Sequence, residues 1–232
     1  MFNGKTKAIT FSYDDGVTQD IRLVEIFNKY GLKATFNINS ELLGNKGELH
    51  TEYGNINHTK VNKENVAEIY KGHEVAVHTC THPNLTLLNE AEIIKQVEND
   101  RKNLEALVHY PVIGMAYPCG GTNNNGYVAE VIKNNTPIKY ARTITENYSF
   151  DLQDNLLRFN PTVYHLDFDK MFEIAEEFIS NSYTAPKIFY IWGHSYEFDY
   201  TDTWNKFEDF CKLIANKDDI FYGTNKDVLL KS

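Results

Sequence analysis

Cysteine is scarce in this sequence: three residues, Cys80, Cys119 and Cys211, in 232. An odd and scattered set cannot form a disulfide framework, so the fold has to rest on a buried core. Long apolar runs are missing too, since no stretch approaches the roughly 18 residues of a membrane-spanning helix. Basic residues are outnumbered, 23 Lys and Arg against 32 Asp and Glu, for a formal net charge of −9. That balance argues against nucleic acid and anionic membranes as partners, because both are bound by basic surfaces. The opening residues, MFNGKTKAITFSYDD, lack the apolar core of an export signal, since the first hydrophobic run already reads as a strand. As written, the chain is expected in the cytoplasm, or in the cell envelope or outside the cell if it is an excised domain. There is no internal repeat, no low-complexity tract and no Pro/Gly-rich linker, so residues 1–232 are expected to form a single domain.

What is present is an ordinary globular composition, with 42% hydrophobic, 13% aromatic and 24% charged residues. β-Branched or aromatic runs alternate with helix-period segments, the pattern of an α/β fold with a parallel sheet. KAITFSYDDG reads as a strand ending in an acidic turn. TQDIRLVEIFNKYG reads as a helix with Ile21, Val24, Ile26 and Phe27 on one face and Gly31 as its stop. KATFNIN is the next strand, KENVAEIYKG a short helix closed by Gly72, and EVAVHT another strand. The longest helix follows, with Asn89 and Glu92 placed as a capping box. PVIGMAYPCGG, IKYARTI, KIFYIWGHS and DIFYGT supply further strands, with helices near 126–134, 169–181 and 204–216. Seven or eight such units predict an open or distorted β/α barrel, with a flat doubly wound sheet as second choice. The long loops at 40–60 and 143–165 are candidates for functional decoration.

Four segments end a predicted strand with polar, ligand-type residues: SYDDG at 12–16, HTCTHP at 78–83, AYPCGG at 116–121 and WGHSYEFD at 192–199. Histidines four apart on a helix share a face and can grip a metal. Here a strand precedes His78, and Pro83 disfavours helical backbone at His82, so the pair belongs on a loop at a strand end. For such a pair two structural histidines are the commoner outcome, so the pair alone decides little. Asp14 and Asp15 add to it, because adjacent carboxylates repel unless a cation or a proton is shared between them. One Asp with His78 and His82 makes a two-histidine, one-carboxylate metal site with open positions, and leaves the other Asp free to act as a base.

FSYDDG, HTCTH, AYPCGG and WGH, in that order, resemble the signature motifs of the polysaccharide deacetylases, carbohydrate esterase family four. The resemblance runs from about residue 6 to 225. It implies a distorted β/α barrel carrying one divalent metal, zinc before cobalt or nickel, that removes N-acetyl groups from peptidoglycan-like or chitin-like sugars. An N-acetylated glycan is then the expected partner. By similarity Asp14 would be the general base, Asp15, His78 and His82 the metal ligands, and His194 the general acid. The N–H of Cys119 would help to hold the oxyanion, and Tyr117, Pro118, Cys119 and Trp192 would contact substrate.

Two departures from the family pattern stand out. The third motif usually opens with an arginine that pairs with the base, and here that position is Ala116; Arg142, which ends the strand KYAR, is the expected replacement. The Asp and Trp that orient the catalytic histidine have no match near 151–167, so Glu197 or Asp199 is expected to orient His194. Trp192, Tyr117, Tyr196 and Trp204 are candidates for stacking on sugar faces, and Cys80 and Cys119 for small packing residues. A nucleophile elbow at Gly193-His194-Ser195 is rejected, because Glu197 stands where the turn needs glycine and no histidine follows His194. The alternative from another class is a carbohydrate-binding protein of the same fold with little or no turnover, a reading that rests on Ala116.

Overall fold

The structure, a computed structural model, describes residues 1–51 and 54–230. Its strands are β1 (Lys7–Asp14), β2 (Ala34–Ile38), β3 (Glu48–Thr51), β4 (Gly54–Asn57), β5 (Glu74–Val77), β6 (Gly114–Ala116), β7 (Tyr140–Arg142), β8 (Val163–Tyr164), β9 (Lys187–Gly193) and β10 (Ile220–Tyr222). Its α-helices are α1 (Asp20–Lys29), α2 (Val66–Ile69), α3 (Glu90–Val108), α4 (Gly126–Asn135), α5 (Phe168–Ser180), α6 (Glu197–Thr201), α7 (Trp204–Ile214) and α8 (Asn225–Leu229). Eight strands form one parallel sheet in the order β7-β6-β5-β2-β1-β9-β8, with β10 beside the first half of β1. β3 and β4 pair separately as an antiparallel hairpin.

The sheet curls into a distorted barrel, as expected from the strand-and-helix alternation. Its two edges are joined by one irregular segment rather than by a strand pair. The N–H of Phe159 donates to Ala141 O and the N–H of Thr143 to Phe159 O, both at 2.9 Å, and a few residues later β8 pairs with β9. Segment 159–164 therefore touches both ends of the sheet.

Alternation along β1 explains how the site is built. Ile9, Phe11 and Tyr13 face the helices, where Phe11 and Tyr13 meet Phe27 and Phe207. Thr10, Ser12 and Asp14 face the lumen, where Thr10 bonds Asn225 and Ser12 bonds Asn37 and Arg142. The whole strand is buried, as a central parallel strand should be, but one face is apolar and the other a hydrogen-bonded polar column. α8 closes the lower end, with the Asn225 N–H on Thr35 Oγ1 at 2.8 Å and the Lys226 N–H on Glu74 Oε2 at 3.0 Å. The column opens at the other end, at Asp14.

The helix α1 differs from its reading in one residue: Ile21 is exposed, and Leu23, Val24, Ile26 and Phe27 form the buried stripe. Leu23 and Phe27 centre that stripe, and Ile21 lies about 200° around the helix from Leu23. The predicted capping box of α3 is present in full. No helix among the described residues is long and apolar enough to cross a membrane.

Candidate active site

Strand β1 delivers Asp14 and Asp15 to the open end of the barrel, β5 delivers His78, and β9 delivers His194. With His82, Tyr117, Cys119, Gly120, Ile144, Trp192 and Tyr196, these residues line a cavity of about 250 Å³.

Asp14 is fixed through both oxygens. Asn37 Nδ2 donates to Oδ1 at 2.8 Å, and Arg142 Nη2 donates to Oδ2. The guanidinium also donates to Ser12 Oγ and to Thr143 O, each at 3.0 Å, and stacks on the Trp192 ring at 4.5 Å. Arg142 is fully buried, an arrangement that a charged group tolerates only when paired and hydrogen-bonded. Burial would push Asp14 up, but the charges of Arg142, His78 and His194 outweigh it and hold the carboxyl below its usual value. The main chain supplies none of this: Arg142 enters from a strand four places away in the sheet.

Asp15 sits in a left-handed conformation, φ 84°, and its carboxylate faces the histidines. Its Oδ1 lies 3.6 Å from His82 Nε2 and 3.9 Å from His78 Nε2. One donor atom each from Asp15, His78 and His82 falls within a 4.8 Å group. Donors about 2.1 Å from a shared tetrahedral ion stand roughly 3.4 Å apart, so small side-chain adjustments bring these three onto one cation. His78 Nδ1 donates to Ala116 O at 2.9 Å, which leaves the Nε2 lone pair facing the cavity. Burial pushes His78 down to about 4 and lowers His82 as well, so both rings are neutral at pH 7, as ligands must be. Burial would raise Asp15, but the hydrogen bond from His58 and the charge of Lys60 hold it well below the usual carboxylate range. The residues fit a divalent cation of the zinc, cobalt or nickel type.

His194 follows the end of β9, and its partner is three residues on. Glu197 Oε2 lies 3.1 Å from His194 Nδ1 and accepts the His194 N–H at 3.1 Å. Of the two acids expected to orient His194, Glu197 therefore contacts it, while Asp199 instead accepts from Gln19 and Trp204. Burial would lower His194; the charge and hydrogen bond of Glu197, with Asp15 and Asp14 behind it, outweigh burial and raise the ring to about 9. Its Nε2 points into the cavity, 4.0 Å from Asp14 Oδ2.

Glu197 is itself held by residues that sequence reading missed. His165 Nε2–H donates to Oε2 at 2.7 Å, and Tyr164 donates its hydroxyl to Oε1. His165 Nδ1 then accepts from Tyr13 at 3.1 Å. The one signal available was Gly193: a Cβ there would come within 2.3 Å of the His165 ring, so β9 needs glycine to let that ring lie beneath it. His58 and Lys60, also missed, reach Asp15 from the 40–60 loop.

The expected substrate contacts divide. Tyr117, Cys119 and Trp192 line the cavity. Tyr117 is buried and spends its hydroxyl on Leu157 O, and Trp192 is covered on one face by Arg142 and bonded to Glu146. Pro118 is buried and does not line the cavity, so its contribution is the fixed φ it gives the loop that carries Cys119. Trp204 is no sugar platform: it is buried against Phe198, with Arg22 over its ring. The Cys119 N–H, in a left-handed residue at φ 71°, points at His82 Nε2 from 3.4 Å. Cys80 is buried and distant in role, as a packing residue should be.

A family model described as polysaccharide deacetylase matches residues 3–136. Among solved structures, a Streptococcus pyogenes deacetylase in complex with acetate is similar at 20% identity and TM-score 0.52, over 64% of this chain and 61% of that one. The chain therefore spans less than two thirds of that protein. A peptidoglycan N-acetylglucosamine deacetylase is similar at 17% identity and TM-score 0.58, over 99% of this chain and 90% of that one. A carbohydrate esterase family four pseudoenzyme from Bacillus anthracis is similar at 18% identity and TM-score 0.55, over 97% and 66%. At these identities the likeness is one of fold. No curated protein matches the sequence.

Proposed function

The chain belongs to the polysaccharide deacetylase family, and on that premise we propose that it is a metal-dependent hydrolase removing N-acetyl groups from N-acetylglucosamine-containing glycans of the peptidoglycan or chitin type. The observation that carries the reading is one cavity that holds both a cation-ready triad, Asp15, His78 and His82, and an acid–base pair, Asp14 and His194.

When bound, a divalent cation supplies Lewis-acid polarisation of an acyl carbonyl and makes water more acidic. The remaining work falls to side chains. Asp14, ionised and locked by Arg142 and Asn37, takes the proton of the water that attacks the acetyl carbon. The Cys119 N–H, at the cavity wall, stabilises the oxygen as negative charge gathers on it. His194, kept protonated by Glu197, hands its proton to the departing amine, and the C–N bond breaks to give acetate and the free amino sugar. Two groups whose surroundings push them in opposite directions, one toward base and one toward acid, suit these two roles.

The binding-protein alternative rested on the missing arginine at position 116. Arg142 stands against Asp14, so the base does not lack its cation and that reading loses its support. The test is acetate release from acetylated glucosamine oligomers, with and without added zinc or cobalt. Release that depends on metal supports the proposal. Binding of the oligomers without release, under every metal, sinks it in favour of the binding protein.

A further inference from the structure

The loop between β2 and α2 carries the β3–β4 hairpin and then returns to the one turn that carries Asp15. At its base the two legs are tied together: the Gly44 N–H donates to Val61 O at 2.9 Å and the His58 N–H to Gly47 O at 2.8 Å. The returning leg then docks on the β1 turn. The Val61 N–H donates to Gly16 O and the Thr18 N–H to Thr59 O, both at 2.9 Å, and Val17 bridges Lys60 in antiparallel fashion. These bonds aim two side chains of the returning leg at Asp15. Lys60, buried, donates from Nζ to the Asp15 carbonyl at 2.9 Å, and His58 Nε2 lies 3.1 Å from Asp15 Oδ2.

The two contacts meet two separate needs. A non-glycine residue at φ 84° is strained and persists only where its surroundings hold it, and the Lys60 hydrogen bond grips that peptide. A carboxylate on a short stem can rotate and offer either oxygen. Here Oδ2 is taken by His58, and Oδ1 is the oxygen that faces His78 and His82. Lys60 Nζ, which bonds the Asp15 carbonyl, also lies 3.5 Å from Oδ1. The His58 ring is in turn set edge-on against Tyr196 at 4.9 Å, so the donor is itself held in place. His58 is not one of the grouped donors, so its place is behind the carboxylate rather than beside the histidines.

We propose that His58 is a positioning residue of the cation site: through the hydrogen bond to Oδ2 it presents Asp15 Oδ1 to the cation, and the 41–61 excursion serves to carry it there. The proposal rests on the reading of Asp15, His78 and His82 as ligands. Outer partners of metal ligands are worth about 10–100-fold in affinity. The returning leg is anchored by main-chain bonds that do not involve the imidazole, so its removal should leave the fold intact.

The test titrates zinc and cobalt alone into the metal-free full chain, with circular dichroism and thermal unfolding of the metal-free proteins as the folding control. His58→Leu should bind zinc about 10–100-fold more weakly and shift the visible absorption of bound cobalt, with unfolding unchanged. His58→Gln, which restores an N–H donor, should recover most of the affinity. If Asp15→Ala abolishes binding while His58→Leu binds as tightly as the parent, the inference fails and the ligand reading stands. Should Asp15→Ala bind like the parent, the ligand reading itself is lost, and this one with it. Two further outcomes overturn the inference alone: a His58→Leu protein as metal-free as Asp15→Ala, which would make His58 a ligand, and equal weakening in His58→Leu and a folded His58→Gln, which would exclude the hydrogen bond as the cause.

Discussion

Arg142 and Asp14 form a fully buried ion pair between residues 128 positions apart, ending two strands that have β6, β5 and β2 between them in the sheet. The contact crosses the barrel lumen rather than running along the sheet. Replacing a guanidinium by a point charge loses the fork that also reaches Ser12 and Thr143. Arg142→Lys should therefore lower turnover on acetylated oligomers by about 10–100-fold, the loss expected when a positioning clamp slips, with metal content unchanged. Arg142→Met, which leaves Asp14 buried without a cation, should cost about 3–5 kcal/mol of stability. Full activity in Arg142→Lys would mean that charge alone suffices.

Asp14→Asn should retain the metal and lose turnover by roughly 10²–10⁴, as for other general bases. Metal analysis beside the kinetics separates the two aspartates. If metal disappears with activity, Asp14 rather than Asp15 is the ligand.

His78→Ala and His82→Ala should each purify with less metal than the parent, and chelation of the parent should abolish activity until zinc or cobalt is returned. Equal metal content in all three proteins would remove the triad.

The Glu197 carboxylate counters the burial of His194 and raises it to about 9. An acid that must be protonated works below its pKa, so activity should fall on the alkaline side as His194 loses its proton. Glu197→Gln takes away the charge, burial then acts with less opposition, and the alkaline limb should move to lower pH. The variant should thus lose more activity at about pH 8 than at about pH 6. An unmoved limb would assign it to another group.

Asp20, bonded to Ser195 next to His194, offers a pH test of stability. Burial pushes its carboxyl up to about 7, against hydrogen bonds from Ser195 and Tyr70. With the folded value above the unfolded one, its contribution is full below the unfolded value and is lost as pH rises through about 7. Asp20→Asn cannot ionise, so its stability relative to the parent should improve from about pH 5 to about pH 8 in urea unfolding. A difference that stays constant between those pH values would show that Asp20 keeps its unfolded value.

Much of this protein is decided by local pattern. Runs such as AITFSYD are strands because Ile9, Thr10, Phe11 and Tyr13 are β-branched or aromatic residues that favour extended backbone, and the capping box at Asn89 and Glu92 is complete within four residues. Asp14, Asp15, His78 and His82 could be placed at strand ends because each follows a legible strand, and in a parallel sheet strand ends collect on one side. Arg142 was readable for the same reason, as the cation ending a strand of the same sheet. Tertiary structure alone decided the rest. β8, α6 and α8 have five residues or fewer, too short for a period to show. Which of Glu197 and Asp199 meets His194 depends on how a single turn of helix packs. His165 behind Glu197 and His58 behind Asp15 are joined to their partners by hydrogen bonds across 32 and 43 residues of chain. No local preference encodes a bond of that length; it exists only once the barrel has closed and brought the loops to the same end.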